Sequence, residues 1–186
     1  MILEFPNFVS EKQLQEIKGH INLHNNLITK NKLASYRDGK TLEISEEAKN
    51  NAGLKKLDSL LFSIFSKIND EAISRRYKPL SNYGQGDTGY EYHKYGPKEI
   101  AHPHGDGEIT PDNLIRFASV VLHLNTIEDG GELVFPNQNV SVKTEAGKIV
   151  VFPPYNMFEH YTTPSSQERE IIVTWLIYNG VKVQFL

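Results

Sequence analysis

The sequence predicts a mainly β protein of the α+β class: a jelly roll with N-terminal helices packed on the outside of one sheet. Three observations carry this. Apolar residues near the N-terminus recur at helical spacing, and the period becomes strand-like from Gly89 onward. Short runs rich in Val, Ile, Phe and Tyr then follow, separated by Gly, Pro, Asn and Asp clusters. Several short strands at such spacing build a sandwich or jelly roll.

The elements follow in chain order. Ser10 with Gln13 three residues on makes a capping-box pattern, and Leu14, Ile17, Ile21 and Ile28 place an amphipathic helix over 11–29. Leu54, Leu57, Leu61, Ile64, Phe65 and Ile68 repeat at three- and four-residue intervals and predict a second helix over 54–74, which Pro79 stops from continuing. Tyr90 to Tyr95 reads as a strand, and further strands are expected at 116–124, 132–135, 139–143, 148–152 and 170–178. Gly130-Gly131 and Gly147 fall where hairpin turns need positive φ. Gly84-Gln85-Gly86-Asp87-Thr88-Gly89 spells a dinucleotide fingerprint, but a working one follows a strand and opens a helix. Here polar residues precede it and a strand follows, so a flexible loop that closes over substrate is expected instead.

A chain of 186 residues fits one domain, 1–186, with a helical support region over 1–80 and a jelly-roll core over 89–180. The net charge of -3 and pI near 6.2 give no broad basic field, which argues against nucleic acid as partner. The absence of cysteine excludes disulfides and zinc-thiolate sites, so metal chemistry must use His and carboxylate. The N-terminus has neither a basic nor an apolar leader region, and no run is long enough to span a bilayer, so a cytoplasmic protein without membrane association is expected. Asn139-Val140-Ser141 matches a glycosylation sequon by chance, and Arg75-Arg76 with Lys78 reads as a solvated basic face.

The residues that point to chemistry are His104, Asp106, His160 and Arg169. His-x-Asp on an extended segment puts both side chains on one side. A third ligand then arrives from a separate strand. Two imidazoles and one carboxylate form the facial triad that leaves coordination positions open on Fe(II). Arg169 opens the last strand, and its planar, permanently charged fork matches a carboxylate. His102 is read as a neighbour of the site, and His20, His24 and His93 as surface or satisfied core histidines. Trp175 is read as core packing that also floors the pocket.

With those residues in view, YHKYGPKEIAHPHGD, RFASVVLHLN, GGELVFP, AGKIVVFPP and HYTTPSSQEREIIVTW resemble the Fe(II)/2-oxoglutarate dioxygenases, most closely the prolyl 4-hydroxylase-like branch. The resemblance runs from Tyr92 to Tyr178. It implies a double-stranded β-helix and the cofactors Fe(II), 2-oxoglutarate and dioxygen, with ascorbate as a candidate reductant. It further implies that His104, Asp106 and His160 hold the iron and Arg169 the distal carboxylate of 2-oxoglutarate. Tyr95, Ser119 and His123 are the further cosubstrate-binding candidates, His123 standing where hypoxia-sensing relatives carry tyrosine. Asp106 occupies the position that halogenating relatives vacate, which favours hydroxylation. Collagen-type relatives use lysine where this chain has Arg169. The expected substrate is a prolyl residue in a peptide or protein; the alternatives are a free amino acid or other small molecule, or a non-catalytic metal-binding jelly roll.

Overall fold

A computed structural model describes residues 1–30, 36–75 and 84–182. Among these, the elements are β1 (Leu3–Phe5), α1 (Glu11–Leu23), β2 (Thr29–Lys30), β3 (Lys40–Glu43), α2 (Ile44–Ala48), α3 (Ala52–Arg75), β4 (Gly84–Asp87) and β5 (Glu91–Tyr95). They continue with β6 (Leu114–His123), β7 (Leu133–Phe135), β8 (Val140–Val142), β9 (Ile149–Phe152), β10 (Tyr161–Thr162) and β11 (Arg169–Lys182). The larger sheet runs β1-β9-β6-β11-β5-β3-β2, with β4 pairing the far part of β11, and the smaller runs β10-β7-β8; all pairings are antiparallel. This is the jelly-roll architecture that the strand spacing predicts.

Alternation on the central strands builds two cores. Ile149, Val151, Ile172 and Leu176 face Leu14, Ile17 and Ile21 of α1 and Leu54, Leu57, Leu61, Ile64, Phe65 and Ile68 of α3. Val150, Phe152, Ile171, Val173 and Trp175 point the other way, toward Leu133, Phe135 and Val142 of the small sheet. Strand side chains alternate faces, so one sheet serves both cores. Functional residues on the second face lie between the sheets.

Several expectations are corrected. α1 stops at Leu23 rather than 29, and Ile28 joins the core from outside the helix. His24 Nδ1 donates to the His20 carbonyl at 2.8 Å, and Asn25 and Asn26, weak helix formers, turn the chain into a 3-10 turn before β2. The segment expected as a flexible loop is largely a strand, since Gly84–Asp87 pairs with Leu176–Asn179. No helix follows it, which agrees with rejecting the dinucleotide reading. Strands β1, β2, β3 and β10 and the short helix α2 are additional to the sequence reading. Gly130, Gly131 and Gly147 do take positive φ, at 67°, 68° and 78°. Pro79 and most of the basic run at 75–78 lie outside the described residues. No described helix is long and apolar enough to cross a membrane.

Candidate active site

His104 and Asp106 lie on the extended stretch between β5 and β6, and His160 immediately precedes β10. A single antiparallel bridge joins the two histidines: each backbone N–H donates to the other's carbonyl, at 3.0 and 2.9 Å. The Gly107 N–H bonds the Pro154 carbonyl at 2.9 Å, so Asp106 is fixed from both sides. The Nε2 atoms of His104 and His160 then lie 3.8 and 3.9 Å from Asp106 Oδ1, and all three donor atoms fall within 4.8 Å of one another. These separations are too long for hydrogen bonds and fit three ligands aimed at one ion.

Both rings are set for that role. His104 Nδ1 lies 2.7 Å from the His102 carbonyl, and His160 Nδ1 lies 3.1 Å from the Phe158 carbonyl. A carbonyl only accepts, so each Nδ1 carries the proton and each Nε2 presents its lone pair. Burial pushes His104 down to about 4, with His160 adding to the effect, and burial lowers His160 as well. Neutral imidazoles are the ligand form. Burial alone would raise the Asp106 carboxyl, but His160, Ser119, His104 and Trp175 outweigh it and its pKa is lowered. The Ser119 hydroxyl and Trp175 indole act there without reaching good hydrogen-bond geometry, because both atoms lack a bonded partner.

The triad opens into a cavity lined also by Tyr95, Ser119, Thr162, Arg169 and Trp175. Arg169 is 4% exposed, and its Nε and Nη1 have no partner. Its guanidinium lies 4.8 Å over the Tyr95 ring, the residue directly across the β11–β5 pair. Burial lowers its pKa, and Tyr95 works in the opposite direction. Glu170 points to the opposite face, as its strand position requires, and accepts from the Tyr92 hydroxyl. Among the described residues, eight of the eleven buried side-chain polar atoms without a partner belong to β6 and β11. Such atoms cost free energy unless something pairs with them. A dianionic ligand beside Arg169 would pair its two free nitrogens, and a cation would take up the converging ligand atoms of the triad, so the site fits both groups.

The remaining expectations divide. Tyr95 and Ser119 line the cavity, and so does Val121 on the same strand face. His123 is fully buried with both ring nitrogens unpartnered and sits diagonally from Arg169, across from Ile171, yet it is not part of the cavity wall. His102 turns its ring outward to Asp38, at 3.4 Å, and serves the site through its backbone. His93 is buried against Arg37 and Glu91, and His24 is tied to His20. Trp175 lines the cavity under the Arg116 guanidinium, 4.5 Å above its ring.

Sequence reading missed Tyr36, Arg37 and Arg116. Arg37 lines the cavity, with only 8% of its side chain exposed, and is held by His93 Nε2 at 3.0 Å and Glu91 at 3.8 Å. Burial would lower its pKa, but Tyr95, Tyr36, Glu91 and Asp106 together raise it, so it stays charged. Arg116 Nη1 donates to the Asp106 carbonyl at 2.6 Å. A lone arginine in a polar stretch carries no periodic signal, and pairing with a distant segment, including the bridge from Arg37 to Ala101, brings it to the site.

The sequence profile of the 2OG-Fe(II) oxygenase superfamily matches residues 90–177, the span that holds the triad and Arg169. No curated protein matches. Among solved structures, the fold is similar to a viral collagen prolyl hydroxylase from Paramecium Bursaria Chlorella virus-1 in complex with 2OG, at TM-score 0.71 and 18% identity, covering 95% of this chain and 96% of that one. It is also similar to a Trichoplax adhaerens prolyl hydroxylase in complex with a hypoxia inducible factor peptide fragment, at TM-score 0.72 and 22% identity, covering 95% and 83%. A Pseudomonas putida prolyl-4-hydroxylase gives TM-score 0.70 and 18% identity, covering 96% and 93%. Residues 90–177 of this chain thus match the 2OG-Fe(II) oxygenase superfamily, whose dioxygenase chemistry requires Fe(II), 2-oxoglutarate and dioxygen.

Proposed function

We propose that the protein hydroxylates a prolyl residue in a peptide or protein, with His104, Asp106 and His160 holding Fe(II) and Arg169 gripping the distal carboxylate of 2-oxoglutarate. The observation that carries the cosubstrate assignment is the buried Arg169 fork with two unpartnered nitrogens in the same cavity as the triad. When bound, the iron and cosubstrate supply the oxidising chemistry: 2-oxoglutarate and dioxygen become succinate and carbon dioxide, and the second oxygen atom enters a C–H bond of the substrate.

The chain's own residues prepare for this. Tyr95 packs against the Arg169 guanidinium and stands ready to donate its hydroxyl to the cosubstrate, and the His102 and Phe158 carbonyls keep the ligand lone pairs directed inward. Apolar Leu133, Phe152 and Ile171 also line the cavity, giving it a largely apolar wall. Support for a polypeptide substrate comes from the rim. Exposed Ile109, Tyr155 and Met157 lie on the two segments that carry the triad, and exposed Tyr36 covers His104. Such side chains favour contact with an extended partner. The three neighbours named prolyl hydroxylases support proline as the target by likeness of fold.

A second reading, hydroxylation of a free amino acid, is favoured by Arg37, a guanidinium in the cavity wall that a free carboxylate could pair with. Both are tested by incubating the Fe(II)-loaded protein with 2-oxoglutarate and panels of proline-containing peptides and free amino acids, following succinate and the gain of one oxygen by mass. Oxygen gained by peptides and not by free amino acids is the expected result. The reverse outcome would establish the second reading.

A further inference from the structure

The two histidines of the triad are held against rotation in different ways. His160 is braced by the core: the Phe152 ring stands 4.8 Å away and the Phe135 ring 5.6 Å away, both between the sheets. His104 instead carries Tyr36, stacked on it at 4.4 Å with the planes 24° apart. Tyr36 is 36% exposed, so this brace is a surface residue rather than part of the core.

Tyr36 reaches the same ligand a second time through the backbone. Its carbonyl accepts the His102 N–H at 2.7 Å, and the His102 carbonyl accepts the Nδ1 proton of His104, also at 2.7 Å. The adjoining residues fasten the arrangement. Arg37 bridges to Ala101, the Asp38 N–H donates to the Ile100 carbonyl at 3.0 Å, and the Ile100 N–H donates to Asp38 Oδ2 at 3.0 Å. Residues 36–38 thus run beside 100–102, and Tyr36 is delivered onto the imidazole face.

We propose that Tyr36 is a positioning residue for His104 whose ring sets how long the metal stays bound. The inference rests on reading His104, Asp106 and His160 as the metal ligands. A metal on Nε2 draws electron density from the imidazole, and the negative face of a phenol ring attracts an electron-poor partner more than a neutral one. The stack therefore favours the metal-bound ring over the free ring, and only such a difference between two states changes an affinity.

The test uses Co(II) as a spectroscopic substitute for iron. Wild-type protein and the variants Tyr36→Phe, Tyr36→Leu and Tyr36→Ala are loaded, and the visible spectrum and the rate of cobalt transfer to excess chelator are recorded. Thermal unfolding of the metal-free proteins checks that each is folded, and the exposure of Tyr36 makes the leucine variant the safest. Leu and Ala should release cobalt roughly three- to tenfold faster, the range that ring stacking corresponds to, with altered spectra. Phe should restore both the spectrum and the rate. Release from the Leu variant at the wild-type rate, or from the Phe variant as fast as from Leu, would overturn the proposal while leaving the metal site standing. Failure of wild-type protein to bind cobalt would remove the metal site itself, and this proposal with it.

Discussion

Arg169 is the residue whose chemistry is least explained by packing, because a buried guanidinium without a carboxylate partner is costly to keep. Arg169→Ala should raise the 2-oxoglutarate requirement about ten- to a hundredfold, the worth of a charge-assisted hydrogen bond, and leave metal binding intact. Arg169→Lys should be intermediate, since it keeps the charge and loses the fork. Calorimetric titration of cosubstrate into the metal-loaded variants measures both. His93 makes a separate prediction about stability. Burial takes its pKa from 6.5 down to about 4, so the folded protein holds it neutral while the unfolded chain protonates. The stability this represents is present above pH 6.5 and lost as pH falls toward 4, by an amount on the order of 3 kcal/mol. Urea unfolding of wild type and His93→Gln across that window should show a shallower acid loss in the variant. At this scale the gathering of His104, Asp106, His160 and Arg169 about one cavity was legible, because few residue types can serve as metal ligands or pair with a carboxylate. Arg37 was not, because its place at the cavity depends on a pairing between distant segments.

The elements show the same division. Helix α3 and strands β6, β9 and β11 were legible within a few residues, since each has enough apolar positions to display its period. Strands β1, β2 and β10 have three residues or fewer and show none. The end of α1 was overrun because Ile28 continues the helical spacing while Asn25 and Asn26 break the helix locally. β4 was hidden by its glycines, and its pairing with β11 makes mobility at 84–87 an outcome the structure does not favour. The turn before β9 gives a sharp test. Gly147 has φ of 78°, and a Cβ there would lie 2.3 Å from the Val9 carbonyl oxygen. Gly147→Ala should cost roughly 1–3 kcal/mol through backbone strain and that clash. Chemical denaturation should show the loss, with the metal affinity of the folded fraction unchanged.

Over the whole molecule, the central sheet separates support from chemistry. Its outer face packs on α1 and α3, and its inner face with the small sheet encloses the triad, Arg169 and their cavity. The sequence pattern exposes this plan because alternation on β9 and β11 assigns each residue to a face. It leaves open which N-terminal residues reach the cavity, since Tyr36 and Arg37 lie outside any periodic element. The central claim is that the triad and Arg169 form one site, with metal and cosubstrate bound together. The most direct test is calorimetric titration of 2-oxoglutarate into the protein with and without Mn(II), used in place of iron to prevent turnover. Binding should require the metal in wild type and should weaken about ten- to a hundredfold in Arg169→Ala. Equal binding of 2-oxoglutarate with and without the metal, or no weakening on loss of Arg169, would contradict the account.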